Sequence, residues 1–371
     1  MPRRLVDERG AVGEPNDVVL AGLNHKMGFR GTVNTVLGFG EGAHRPGGRP
    51  GAVGYLVGEP ECGLAYMFRM MNEARIGVGL VAAALGYTGY LKSLAYARQR
   101  PQGRSAARRD PDSPQVPIVE HADVRRMLLA QKASVEGALA LVLFCGRLHD
   151  DVANLGEGSR RERARLLLEI LTPIAKSWPA QWCLEANSLA IQVHGGYGYS
   201  RAYDVEQHYR DNRLNPIHEG THGIQALDLL GRKARMEGGA AFEALLELLR
   251  SCREPARERG GEPAALAAQL DALVDRLQRA TAAALDPKRA AAGLANATPY
   301  LEATGHLVVG QMWLSRCSRR PTAMVASTAA SARPPATSSA VSCPVRGHCS
   351  RSSNGMTRPR SRCATSDSER R

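Results

Sequence analysis

In the run Leu214-Asn-Pro-Ile-His-Glu-Gly-Thr221 a lone carboxylate, Glu219, stands between His218 and Gly220. A carboxylate in a partly apolar pocket holds a proton more tightly than one in water, which suits it to act as a general base. With Ile217 on one side of Glu219 and Gly220-Thr221 on the other, such a pocket is the expectation here. A second cluster lies upstream. His194-Gly-Gly-Tyr-Gly198 closes a helical pattern, and glycine, with no Cβ, lets the backbone approach a ligand closely. A polar and aromatic segment, Tyr203 to Arg213, joins the two clusters. Within it Glu206 and Arg210 are four residues apart, the spacing of a helical ion pair, so Glu206 reads as a paired, structural acid.

The elements that must position these residues are mostly helices. Met67, Met70, Met71, Ile76, Leu80, Ala84 and Tyr87 recur at helical spacing and predict a long helix over 66–100. A charged, Pro-containing loop follows at 105–117. A second helix is expected over 120–150, with its stripe running from Val124 to Leu143. A third is expected over 165–193, with a break allowed at Pro173 and Pro179. Shorter helices at 205–213 and 221–235 complete a bundle. Residues 240–310 are again periodic, through Phe242, Leu245, Leu246, Leu248 and Leu249, then Leu266, Leu270, Leu273 and Leu277. Ahead of the bundle, 18–21, 35–39 and 52–57 read as short strands between Gly, Asn and Pro.

The stretch Gln192–Gln225 resembles the carboxy-terminal signature of the acyl-CoA dehydrogenases. Gly195-Gly196, Tyr203-Asp204-Val205-Glu206, Arg210-Asp211, Ile217, Glu219-Gly220-Thr221 and Ile224-Gln225 match it in order and spacing. Three further segments are similar to that family. Asn24 to Thr32 resembles a Lys-Met-Gly-x-Arg-Gly turn of the middle β-domain, although Lys26 and Arg30 also fit a solvated hairpin. Asn72 to Gly79 resembles a helix start whose arginine, here Arg75, lies beside the acyl-CoA pocket; a surface or ion-paired arginine fits equally. Tyr96 to Gly103 resembles a turn that grips the FAD pyrophosphate, a task for which a planar guanidinium is suited. Arg100 is the matching residue, with Arg104 open as a second candidate because Pro-Gln precedes Gly103 and the usual Phe is missing. The wording around Met70 and Leu214, and the extra helices, fit best the long branch that includes methylthiopropionyl-CoA dehydrogenases.

That resemblance implies a mainly α chain. Residues 1–64 would be a partial β-domain stub, 65–236 the helical bundle, 237–313 an additional helical segment and 314–371 a disordered tail. It implies an FAD-dependent α,β-dehydrogenation of an acyl-CoA thioester, with Glu219 as the α-proton base. Gln192, Gly195 and Gly196 would reach the FAD of a partner subunit, and Thr221 and Gln225 the FAD of their own chain. Gly220 would join Arg75 at the substrate. A homodimer or homotetramer and an electron-transfer flavoprotein are the implied partners. The family's amino-terminal helices and flavin-touching strand have no counterpart here, so the chain reads as a fragment, active or inactive.

Composition bounds the alternatives. Hydrophobic residues make up 43%, enough for a sizeable core. Eleven arginines and two acids fall in 316–371, so most of the net charge of +13 lies there and the body is not a basic nucleic-acid surface. The tail could supply phosphate contacts in a DNA-binding relative, but it lacks interleaved aromatics. Its abrupt Arg/Ser/Pro composition after Trp313 fits a shifted reading frame or a natural disordered tail. Cys62, Cys145, Cys183 and Cys252 show no metal-ligand spacing, and Cys343, His348 and Cys349 read as a chance arrangement rather than a metal cluster; the amino terminus has no secretion signal, and the apolar run 76–91 is short and Gly-rich. A reduced, cytoplasmic protein without a metal or a membrane span is the expectation.

Overall fold

A computed structural model describes residues 1–104 and 112–319, the side chains of Arg69 and Arg319 excepted. Two small antiparallel sheets come first. β1 (Arg4–Val6) pairs with β2 (Val12–Pro15), and β3 (Val18–Leu23) with β4 (Thr35–Phe39). The β1–β2 hairpin was not anticipated, its strands being too short to show a period. The expected strand at 52–57 does not form. Val53 donates its backbone N–H to Oδ1 of the buried Asn16 and accepts from Asn16 Nδ2 at its carbonyl, and so has no ladder to join. Leu20, Leu23, Val36, Leu37 and Phe39 leave apolar surface exposed on the second sheet.

Three long helices form the body: α1 (Gly63–Gln99), α2 (Ala122–Asn154) and α3 (Ser159–His194). α3 is the central one, buried without interruption from Ile170 to Ala180. Pro173 and Pro179 lie inside it without breaking it. Glycines in the interior of α1 explain its approach to α3. A Cβ on Gly79 would sit 2.0 Å from the Ala175 carbonyl oxygen, and one on Gly86 2.8 Å from Cys183 Cβ. Helical glycine costs stability, but here it permits backbone-level packing. α1 and α2 are long and apolar enough to cross a membrane by length and composition, and both contribute to the bundle core. Met67, Met70 and Leu80, expected on the apolar stripe of α1, are instead exposed.

Shorter helices follow: α4 (Val205–Asn212), α5 (His222–Leu227), α6 (Ala240–Arg250), α7 (Arg253–Arg259), α8 (Gly261–Ala284), α9 (Ala290–Ala295) and α10 (Ala297–Arg319). A π-helical turn, Asp228–Arg232, continues α5. The core side of α8 is Ala267, Leu270, Val274 and Leu277, whereas Leu266 and Leu273 face outward. Leu273 lines an open apolar cavity of about 590 Å³ with Leu230, Leu277, Tyr300 and Leu307. α10 stays helical to Arg319, past Trp313; the rest of the expected tail, from 320 onward, lies outside the described residues.

Candidate active site

Glu219 occupies the connection between α4 and α5 and is half-buried. Its backbone is left-handed, with φ of 53°, and Gly220 follows at 87°. A non-glycine residue in that region is strained and persists only where its surroundings hold it. Three sets of bonds do so. Lys176, fully buried on α3, donates from Nζ to the Asn215 carbonyl at 2.9 Å and to the Gly220 carbonyl at 2.6 Å. Gln225 Nε2 donates to the Glu219 carbonyl at 3.0 Å. Thr221 is the N-cap of α5, its hydroxyl accepting from the Ile224 N–H at 3.4 Å, and the His222 N–H closes back on the Pro216 carbonyl at 3.0 Å.

The supports are themselves supported. Arg75, buried on α1, donates to Gln225 Oε1 at 3.1 Å, to Asp228 Oδ2 at 2.7 Å and to Asn72 Oδ1 at 2.6 Å. Arg75 and Gln225 thus hold the turn, while the buried Arg75 Nε has no partner. Behind them runs a buried amide chain. Asn215 Nδ2 donates to Asn212 Oδ1, Asn212 Nδ2 to Asn187 Oδ1, and Asn187 Nδ2 to the Leu85 carbonyl. Ser177, next to Lys176, contacts His222 Nδ1, and His222 Nε2 lies 3.4 Å from Glu302 of α10. Burial pulls the Lys176 ammonium down to about 8, with Glu219 acting against it and Arg75 with it. Burial likewise lowers His218 and His222.

Among the described residues the Glu219 carboxylate takes no hydrogen bond and no ion pair. Glu206 is its opposite: Arg210 holds it by two hydrogen bonds, at 2.5 and 3.0 Å, and keeps its carboxyl below the usual range. Arg210 and Asp211 also dock the Lys26–Thr32 turn. Arg210 donates to the Met27 carbonyl at 2.8 Å, Asp211 accepts from the Phe29 N–H at 2.6 Å, and Gly28 packs so close to Arg210 that a Cβ would lie 2.4 Å from its carbonyl oxygen. Glu219 lines none of the cavities of about 510 to 590 Å³; its turn lies at the surface beside exposed Ile217 and Ile224.

The second cluster forms where α3 ends. Gly195 terminates the helix at φ of 60°, and Gln192, Gly195 and Gly196 are exposed. The His194 ring stacks on Tyr96 at 4.4 Å and meets Tyr203 edge-on. The Arg100 guanidinium lies 5.6 Å over the Tyr197 ring, and its buried Nε has no partner. Arg104, the other candidate, spends its Nε on the Ser113 carbonyl at 2.7 Å. An unpartnered guanidinium nitrogen beside an exposed glycine turn suits a diphosphate. The expected residues thus fall into two groups, Arg75, Glu219, Gly220, Thr221 and Gln225 in one, and Arg100, Gln192, Gly195 and Gly196 in the other. Lys176 and Asp228 were missed. The available signal for Lys176 was its being the lone charge between Glu169 and Glu185.

Comparisons with known proteins agree with this architecture. The model described as "Acyl-CoA dehydrogenase, C-terminal domain" matches residues 61–234, and that described as "Acetyl-CoA dehydrogenase C-terminal like" matches 241–333. The chain is 38% identical over 328 residues to a 3-methylmercaptopropionyl-CoA dehydrogenase of Ruegeria pomeroyi, covering 85% of this chain and 52% of the relative. It is 37% identical over 245 residues to the broad-specificity linear acyl-CoA dehydrogenase FadE5 of Mycobacterium tuberculosis, covering 65% and 39%. Among solved structures, Caenorhabditis elegans ACDH-11 in complex with C11-CoA superposes with a TM-score of 0.70 at 17% identity, covering 85% of this chain and 52% of that one. A Bacillus anthracis acyl-CoA dehydrogenase complexed with FAD gives 0.64 at 21% identity, covering 82% and 51%. The chain spans about half the length of the 3-methylmercaptopropionyl-CoA dehydrogenase and of these two solved structures.

Proposed function

Since the chain belongs to the acyl-CoA dehydrogenase family, we propose that it serves the FAD-dependent conversion of an acyl-CoA thioester to a trans-2-enoyl-CoA. One observation carries this reading: an acid with a strained, clamped backbone and an uncommitted carboxylate. In it, Glu219 takes the proton from the substrate α-carbon, and the electron pair left behind forms the double bond as the β-hydrogen departs with its own pair. Bound FAD supplies the acceptor for that hydride at N5. Thioester α-protons are weakly acidic, so the base must be fixed within reach of the α-carbon, and the bonds from Lys176 and Gln225 serve that need.

Arg100, Gln192, Gly195 and Gly196 are the proposed contacts to the FAD diphosphate and adenosine, supported by the unpartnered Arg100 Nε. Thr221, exposed at the start of α5, is a proposed contact to the FAD of its own chain. Gly220 is proposed to leave room for the acyl-CoA. Arg75 is proposed to join Gly220 at the acyl-CoA and Gln225 to lie near the FAD of its own chain, while both also hold the turn. An electron-transfer flavoprotein as onward acceptor, a homodimer or homotetramer, and a cytoplasmic location complete the proposal.

The test is Glu219→Gln, with enoyl-CoA formation, flavin content and acyl-CoA binding measured together. The rate should fall by about 10²–10⁴-fold, with the two binding measurements little changed. Glu206→Gln, which breaks the Arg210 pair, should lower stability and leave the chemical step in place. A near-normal rate in Glu219→Gln removes Glu219 as the base.

A further inference from the structure

Lys176 is fully buried, and an ammonium withdrawn from water is costly unless it is partnered. Its recorded hydrogen-bond partners are the carbonyls of Asn215 and Gly220, which bracket the segment carrying Glu219. One cation therefore closes both ends of the turn.

We propose that Lys176 is the positioning residue for Glu219: it locks the left-handed turn from the α3 side. The proposal rests on Glu219 being the base. The other charged and titratable groups around the pair are Arg75 from α1, with Asp228 beyond it; His218 and His222 from the turn and α5; and Glu302 of α10, which faces His222. His218 and His222 are both lowered by burial and both feel Lys176, so a positive charge on either at neutral pH is disfavoured. Arg75 turns its two terminal nitrogens to Gln225, Asp228 and Asn72. Lys176 is then the cation that joins the turn directly.

The experiment measures amide hydrogen exchange across the chain. In Lys176→Met, exchange of the Ile217, His218 and His222 amides should quicken by about tenfold or more relative to the amides of α2 and α8. Lys176→Gln keeps a donor and should restore part of that protection, and it serves if the Met variant does not fold. Ser177→Ala removes the neighbouring contact to His222 and keeps both carbonyl bonds from Lys176, so the Ile217 and His218 amides should stay protected. Protection of the turn unchanged in both Lys176 variants, lost equally in α2 and α8, or lost as far in Ser177→Ala, overturns the proposal. The readout does not involve turnover. A Glu219→Gln protein that kept its rate would remove the base reading alone, while unchanged protection would remove Lys176 alone.

Discussion

Asp228→Asn attacks the support of the site without touching the candidate base. Asp228 accepts from Arg75 at 2.7 Å and from Arg232 at 2.6 Å. The Arg75 and Asp228 side chains are only 8% and 12% exposed, whereas Arg232 is 60% exposed. Breaking a buried pair by removing one partner costs about 3–5 kcal/mol, because a charge is left uncompensated. Asparagine is close in shape and its oxygen can still accept from Arg75, and Gln225 and Asn72 remain, so about 2–3 kcal/mol is expected here. The exposed Arg232 contact contributes about 1 kcal/mol or less, which Arg232→Gln measures separately. The assay is denaturant unfolding at neutral pH, repeated down an acid series. Burial pushes the Asp228 carboxyl up, but hydrogen bonds and charge from Arg232 and Arg75 outweigh it and hold the group below its usual value. A folded pKa below the unfolded one gives stability that is full above about pH 4 and is lost as pH falls through the folded value. The gap between the parent chain and Asp228→Asn should therefore close in acid. A cost under about 1 kcal/mol at neutral pH, or a gap undiminished near pH 3, would refute the reasoning.

Two further outcomes are expected. Gly220→Ala places a Cβ 2.5 Å from Gln225 Nε2 at a φ of 87°, so it should cost roughly 1–3 kcal/mol, and combining it with Gln225→Ala should cost less than the sum because the clash is shared. Burial lowers His194, His208, His218, His222 and His306; with folded values below the unfolded 6.5, their contribution is full above that pH and is lost below it, so the melting temperature should fall between pH 7 and 5, and a flat profile would count against it.

Helices were the legible part of this chain because an amphipathic period is written into local sequence. α1, α2 and α3 stand close to where the period put them. The Glu206–Arg210 pair was legible for the same reason, being a matter of spacing along one helix. What failed depended on distant partners. Val53 forms no strand because Asn16, far back in the chain, takes its backbone bonds. The break allowed at Pro173 and Pro179 is absent from α3, whose surroundings bury it throughout that stretch, and local sequence left that choice open. Leu266 and Leu273 have the spacing of core residues, yet α8 turns Ala267 and Val274 inward in their place. Glu219 was legible as a candidate, and Arg75 and Gln225 as site residues, but Lys176 and Asp228 were not, since each joins the site from a different element.

Those supports bear on why the acid is uncommitted. A left-handed glutamate costs energy that a glycine at the same position would not. Its carboxylate is not paired, unlike that of Glu206, which sits in the regular helix α4. At Glu219 the compensation comes through the backbone instead: Lys176 and Gln225 bind the carbonyls of the turn and leave the side-chain oxygens alone. Arg75 and Asp228 in turn fix Gln225, so the cost is carried by groups that a reaction at the carboxylate would not disturb. A turn built this way holds the acid still while leaving its carboxylate without a partner among the described residues. That separation of backbone support from side-chain pairing distinguishes Glu219 from the paired acid thirteen residues before it.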